Sequence, residues 1–271
     1  MKVNMTLFIP AYKRYENIYN LLKHLESNNI TFNNIVIMQD KIEDKVEASV
    51  ILYKAKIKNE FSYVTNIVLS QHKGIVGVLR SHDYLNDDEN YIWLEDDLWL
   101  DVPFFNQAQD FFDKHYSEST PIFIGYSKTG NTNYSWFKTY MYIPMWAIVT
   151  KGKHLKELVE FYRGIVEGTP EQRLNLADSI LQYKFDCSVF EKYKETILKV
   201  NRESFTIKLH NIDYYFMIYL LSKRICAIKN TKCYVSLREP RFATNNMREV
   251  VVSEKFSDAE NDMISGITMW D

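Results

Sequence analysis

The heptapeptide Tyr91-Ile92-Trp93-Leu94-Glu95-Asp96-Asp97 decides how the rest of the chain is read. Its first four residues are a short run of bulky apolar side chains, the pattern of a buried strand. The run stops at three adjacent carboxylates and turns apolar again at Leu98-Trp99-Leu100. Three like charges at the tip of a buried strand repel one another, which raises the free energy unless a cation gathers them. Carboxylates favour hard divalent cations such as Mg²⁺ or Mn²⁺, which often also hold substrate phosphates. In open α/β sheets, ligands bind just beyond the carboxyl ends of the strands. Taken alone, the stretch also fits a solvated acidic turn, and its flanks decide between the two.

Upstream, residues 3–9 predict a first strand closed by Pro10-Ala11. Ile18, Leu21, Leu22 and Leu25 fall at helical spacing, which predicts an amphipathic helix over 14–27. Residues 34–38 predict a second strand ending at Gln39-Asp40, 43–57 a helix marked by Val46 and Val50, and 66–69 a third strand. Gly74 and Gly77 flank the start of a further helix with Val78, Leu79 and Leu85 on its apolar side. This alternation, running into the 91–94 strand, implies an α/β fold: a parallel sheet with helices on both faces, of a nucleotide-binding type.

Downstream, Pro103 opens a helix carrying Phe104, Phe105, Ala108, Phe111 and Phe112. Residues 121–125 predict a strand and the polar stretch 126–135 a loop. Pro144 interrupts 139–150, so no single regular element is expected there. Residues 151–163 and 174–199 are helical in pattern, separated by Thr169-Pro170, and read as an insertion between strands. Residues 212–221 form an aromatic-rich helix, and 225–228 and 232–236 are late strands.

The chain of 271 residues is long enough for a sizeable core, in one large domain or one domain with an elaboration. A formal net charge of -2 without a long basic run gives no sign of a nucleic-acid binder. The 19 Tyr, 16 Phe and 5 Trp suit stacking on rings or sugars, and equally a core. Cys187, Cys226 and Cys233 have no metal-type spacing and are odd in number, so free thiols in a reducing compartment are expected. The opening run breaks at Pro10, too short for a signal peptide or membrane anchor. The expected location is the cytoplasm, with peripheral membrane contact left open.

Several short stretches together resemble the GT-A-fold glycosyltransferases, and within them N-acetylglucosaminyltransferase I and its relatives. Glu95-Asp96-Asp97-Leu98, followed by Val102-Pro103 and Phe104-Phe105, is the most specific match. Phe8-Ile9-Pro10 with Ala11 and Arg14, then Gln39-Asp40, are similar too. Pro144-Met145-Trp146 looks like the family's aromatic acceptor-side loop, Asp213-Tyr214-Tyr215 like its acidic-aromatic catalytic segment, and Tyr234-Val235-Ser236 like the strand end that meets the diphosphate. The likeness covers roughly residues 5–150 and 208–240, while 155–207 has no counterpart. His72 and His82 are both candidates for a family histidine near the base. No histidine follows His210, so a C-terminal histidine metal ligand is absent.

The resemblance implies a GT-A, Rossmann-like, mostly parallel sheet with a helical insertion. It divides the chain into a nucleotide-sugar-binding half over 1–150, an acceptor-side insertion over 151–207, and an acceptor and catalytic half with a tail over 208–271. It further implies a UDP-sugar donor, a carbohydrate or glycan acceptor and a Mn²⁺ or Mg²⁺ cofactor, in an inverting transfer of a hexosyl or N-acetylhexosaminyl group. Asp97 is the expected metal ligand, Asp96 a contact to the ribose or a metal-bound water, and Glu95 a contact to donor sugar hydroxyls. Asp40 would accept from uracil or ribose, or else form an ordinary Asx turn. Arg14 would face base or phosphate, or stand exposed at a helix start. Arg80 would touch the nucleotide or make a surface salt bridge. Asp213 is the expected general base, its aromatic neighbours raising its pKa toward a useful range, though a helix cap fits the same residue. Trp146 would stack on the acceptor or belong to the core, and Ser236 is a donor contact by resemblance only. A nucleotidyltransferase is the rival enzyme class, disfavoured because Pro10-Ala11-Tyr12-Lys13-Arg14 replaces a Gly-rich phosphate loop. A non-catalytic carbohydrate-binding protein is the remaining alternative.

Overall fold

A computed structural model describes residues 1–42, 45–69, 83–125, 136–139, 147–184, 212–230 and 232–237. The helix expected after Gly74, the loop 126–135 and the tail lie outside the described residues, as do His72, Arg80, His82, Trp146 and Cys187.

The first strand, β1 (Lys2–Ala11), pairs in parallel with β2 (Thr31–Gln39) and with β4 (Asn90–Trp93), and β2 pairs in parallel with β3 (Val64–Val68). Helices α1 (Tyr15–Ser27) and α2 (Ala48–Glu60) make the crossovers within the first three strands. After β4 come the short β5 (Leu98–Leu100), helix α3 (Val102–Asp110) with a π-helical turn over Phe111–His115, and strands β6 (Ile122–Ile124), β7 (Trp136–Thr139) and β8 (Ile148–Lys151). Helices α4 (Gly152–Glu167), α5 (Pro170–Gln182) and α6 (Ile212–Lys223) precede β9 (Ala227–Asn230) and β10 (Val235–Leu237). Eight strands form one sheet in the order β3-β2-β1-β4-β8-β6-β9-β7, and β5 and β10 make a separate two-stranded ribbon.

This is the expected α/β class, a mostly parallel sheet flanked by helices, consistent with a GT-A, Rossmann-like fold. Side chains alternate across it as the two-residue period of a strand requires. Leu7 and Ile9 face one core with Ile92, Phe123 and Val149, where Ile18, Leu21, Leu22 and Leu25 of α1 and Phe104 and Phe105 of α3 cover them. Phe8 faces the other with Trp93, Ile122, Ile124 and Ile148, beneath Leu155, Leu158, Val159 and Tyr162 of α4 and Phe216 and Tyr219 of α6. Helix α4 is therefore part of the layer that covers the sheet.

Two features differ from expectation. Strand β8 runs antiparallel between β4 and β6, so the sheet is mixed at its centre. Thr169-Pro170 starts α5 at once: the Thr169 hydroxyl accepts from Gln172 N, the Gln172 side chain accepts from Thr169 N, and Pro170 occupies the first turn, where no N–H is needed.

Gly152 fixes the junction of β8 and α4. A Cβ there would stand 1.8 Å from the carbonyl oxygen of Asn86 and 2.9 Å from the Tyr91 ring, while Gly152 N donates to Glu89 O. Because the nearest atom is backbone, it cannot swing aside. Gly152→Ala is expected to destabilise the fold by about 3 kcal/mol, at the upper end of overpacking effects, read as a lowered urea midpoint.

Candidate functional site

Three parallel pairings bring the carboxyl ends of β1, β2, β3 and β4 to one edge of the sheet. From β1 the chain adds β2 and β3 on one side and β4 on the other. Such a reversal of strand order opens a crevice beyond the carboxyl ends of the two central strands. Here it lies where Tyr12, Lys13 and Arg14 leave β1 and Glu95, Asp96 and Asp97 leave β4.

Leu94 N donates to Phe8 O at 2.9 Å, continuing the pairing with β1 one step past β4, and Leu98 N donates to Glu95 O at 3.1 Å, closing the carboxylate turn. Asp96 is buried and held on both oxygens. Its Oδ2 accepts from Tyr12 N at 3.0 Å and its Oδ1 from Arg14 Nη1 at 2.6 Å. The same Nη1 stands 3.2 Å from Oδ2 of Asp97. The repulsion expected at this strand tip is thus relieved in part by a cation from the chain itself. Burial works against the Arg14 charge, but the pull of Asp96 and Asp97 and the Asp96 hydrogen bond outweigh it, so its pKa is raised. Asp97 titrates above its ordinary value because burial penalises its charge and Asp96 adds repulsion, against the opposing pull of Arg14. Its Oδ1 is buried with no hydrogen-bond partner among the described residues.

Beside this pair, Asp40 follows the end of β2, is buried, and donates its backbone N–H to Ala11 O at 2.9 Å. It therefore sits one strand over from Arg14 on the same edge. Gln39 before it accepts from the Tyr15 hydroxyl at 2.8 Å and from the Lys54 ammonium. Lys54 lies 5.4 Å from the Tyr15 ring centroid, and burial lowers its pKa. Sequence reasoning missed Tyr15 and Lys54, although an aromatic directly after Arg14 at a helix start was a usable signal. A cavity of about 450 Å³ opens beside them, lined by Tyr15, Lys54, Lys58, Phe61 and Asn66, and includes none of the three carboxylates.

The ribbon brings the end of the described chain to the carboxylate turn. Val235, Ser236 and Leu237 pair with Leu100, Trp99 and Leu98, so Ser236, exposed, stands opposite Trp99, two residues past Asp97. Asp213 is the second residue of α6. Arg80 and Trp146 lie outside the described residues.

Among the described residues, no group of three or more His, Cys, Asp or Glu is arranged to hold a metal ion. A cation that draws most of its ligands from phosphate and water needs fewer protein oxygens, as Mg²⁺ sites on nucleotides illustrate. The buried Oδ1 of Asp97, without a partner among the described residues and beside the second carboxylate of Asp96, fits that kind of site. No described helix is long and apolar enough to cross a membrane.

No protein-family model matches the chain, and no curated protein matches it. Among solved structures it is similar to S. aureus TarS 1-349, at 10% identity over 88% of this chain and 61% of that one, with a TM-score of 0.46. The same protein in complex with UDP-GlcNAc matches at 13% identity over 87% and 58% of the two chains, with a TM-score of 0.45. An active-site mutant of LgtC matches at 9% identity over 82% and 72%, with a TM-score of 0.45. The chain spans about three fifths of the length of the TarS 1-349 structure it matches.

Proposed function

We propose that this chain is a metal-dependent glycosyltransferase that moves a sugar from a UDP-sugar to an acceptor hydroxyl with inversion. The observation that carries the reading is the carboxylate pair at the strand-order reversal, tied to Arg14 and holding one buried oxygen on Asp97 that has no partner among the described residues. A sheet edge that concentrates negative charge in a crevice suits a ligand that arrives with a cation.

In this reading Asp97, with Asp96 behind it, holds Mn²⁺ or Mg²⁺. The bound ion supplies neutralisation of the charge that develops on the leaving diphosphate. Asp40, at the neighbouring strand end, accepts from the uracil or ribose, and Arg14 serves the diphosphate through its planar fork. Arg80 contacts the same nucleotide. Glu95 orients the donor sugar hydroxyls, and Ser236, on the strand paired with β5, completes the diphosphate side. Asp213 takes the proton from the acceptor hydroxyl as its oxygen attacks the anomeric carbon, and Trp146 stacks on the acceptor. N-acetylglucosamine as the sugar, the likeness to N-acetylglucosaminyltransferase I, an acceptor role for 151–207 within the division of the chain given above, and a cytoplasmic setting belong to the same proposal.

The test is a thermal-shift series with UDP, CDP, GDP and ADP, each with and without Mn²⁺. A ligand at 100 times its Kd stabilises the native state by about 2.7 kcal/mol. For a chain of this size that is roughly 5 °C or more in Tm. UDP with Mn²⁺ is expected to give this shift, with UDP alone and Mn²⁺ alone giving much less. Equal shifts for every nucleotide, or none, would overturn the UDP-sugar reading. Release of pyrophosphate from a nucleoside triphosphate would move it to a nucleotidyltransferase, and sugar binding without donor turnover to a carbohydrate-binding protein.

A further inference from the structure

The carboxylate cluster already holds a positive group where an external cation would be expected. One nitrogen of Arg14, Nη1, lies 2.6 Å from Asp96 and 3.2 Å from Asp97, bridging the two carboxylates as a bound ion would. The two contacts are unequal. Asp96 is fixed on its other oxygen by Tyr12 N, whereas Asp97 keeps its other oxygen buried and without a partner among the described residues. The longer contact is therefore the one that can be given up, and doing so frees both oxygens of Asp97.

We propose that Asp96, Asp97 and Arg14 form an exchangeable cation site, in which the Arg14 guanidinium stands in for a divalent ion until a nucleoside diphosphate arrives. The inference rests on the metal-dependent reading above and adds an order to it. Arginine stays protonated in proteins, so Arg14 cannot yield its place by losing charge. A divalent cation approaching alone meets a permanently positive neighbour and is repelled. A diphosphate changes the balance, because its oxygens give the guanidinium an anionic partner in place of Asp97 that its forked geometry matches. Arg14 then turns from Asp97 to the diphosphate, and the cation and nucleotide enter together. Wild-type protein should hold Mn²⁺ weakly by itself and much more tightly with UDP. Linkage makes the effect reciprocal, with UDP and Mn²⁺ raising each other's affinity by the same factor.

The experiment is a Mn²⁺ titration, followed by the electron paramagnetic resonance signal of the free ion, with and without UDP. Wild type, Arg14→Gln and Arg14→Lys are compared. Arg14→Gln is expected to bind Mn²⁺ alone more tightly than wild type, and the gain from UDP to shrink, by a factor of about 5–150, the usual span of coupling between two sites. Arg14→Lys keeps the charge and should retain weak binding of Mn²⁺ alone. If Arg14→Gln binds Mn²⁺ alone no more tightly than wild type, the exchange is wrong and the metal role of Asp97 still stands. If no form binds Mn²⁺ with or without UDP, the metal-dependent reading falls and the exchange with it. Should Arg14→Gln fail to fold, wild type answers the question through the ¹⁵N resonance of the Arg14 Nε–H group. Mg²⁺ with UDP should move that resonance, while Mg²⁺ alone leaves it in place, and movement with Mg²⁺ alone would overturn the proposal.

Discussion

Asp97→Asn should abolish Mn²⁺-dependent UDP binding and lower transfer by a factor on the order of 10³ or more, as expected when several kcal/mol of charge stabilisation are lost. The fold should survive, and the electrostatics give the reason. Burial first, and the adjacent Asp96 second, raise the pKa of Asp97 above its ordinary value, with Arg14 opposing them. A carboxyl with a raised folded-state pKa holds its proton longer in the native state than in the unfolded chain. Its contribution therefore favours folding at acid pH and weakens as pH rises past the ordinary carboxylate range. At neutral pH, ionised Asp97 is a liability to the cation-free fold, and a neutral amide of the same shape removes it. The variant should accordingly unfold at the wild-type temperature or slightly above, with a flatter pH dependence of Tm. Calorimetric titration with UDP and Mn²⁺ decides the metal role: affinity equal to wild type would take it away from Asp97.

Asp213→Asn should leave UDP-sugar binding unchanged and slow turnover on the order of 10²–10⁴, the usual effect of removing a general base. The base acts on the acceptor proton only as the bond to the anomeric carbon forms, so ground-state affinity for the donor has no reason to change. Donor affinity and single-turnover rate, measured on one preparation, separate the two effects. Undiminished turnover would place the base elsewhere, and a product with retained anomeric configuration would refute inversion together with this role.

How far the sequence could be read follows from how local each signal is. Strand β1 alternates Leu7, Phe8 and Ile9 between two cores, and α1 repeats Ile18, Leu21, Leu22 and Leu25 on one side, so both elements announce themselves within a dozen residues. The acidic tip after β4 is equally local. Its partner is not: Arg14 and Asp96 are 82 positions apart, and no periodicity links them. The direction of β8 was illegible for a different reason. Ile148-Val149-Thr150-Lys151 holds only two apolar residues, too short a run to announce a strand and silent about which way it runs. Thr169-Pro170 shows in the sequence as a break between helical patterns, and only its reciprocal bonds with Gln172 make it the start of the second helix. Ser236 entered by resemblance alone, and its place opposite Trp99 depends on pairing between distant segments. Asp213 could be placed on a helix from its surroundings, and α6 agrees.

The ribbon of β5 with β10 sets when the carboxylate edge can be finished. A ribosome delivers β1 to β4 with α1 and α2 early, and these strands pair in parallel with one another without a strand from the last third of the chain. Residues 98–100 acquire their pairing only after 235–237 have emerged, and β9, which pairs with both β6 and β7, is made just before them. Closing so long a loop carries an entropic cost that local helices do not bear, which slows folding and exposes half-made sheet to neighbouring chains. The acidic turn is thereby a late event in the life of each molecule, completed only once nearly all of the described chain is in place.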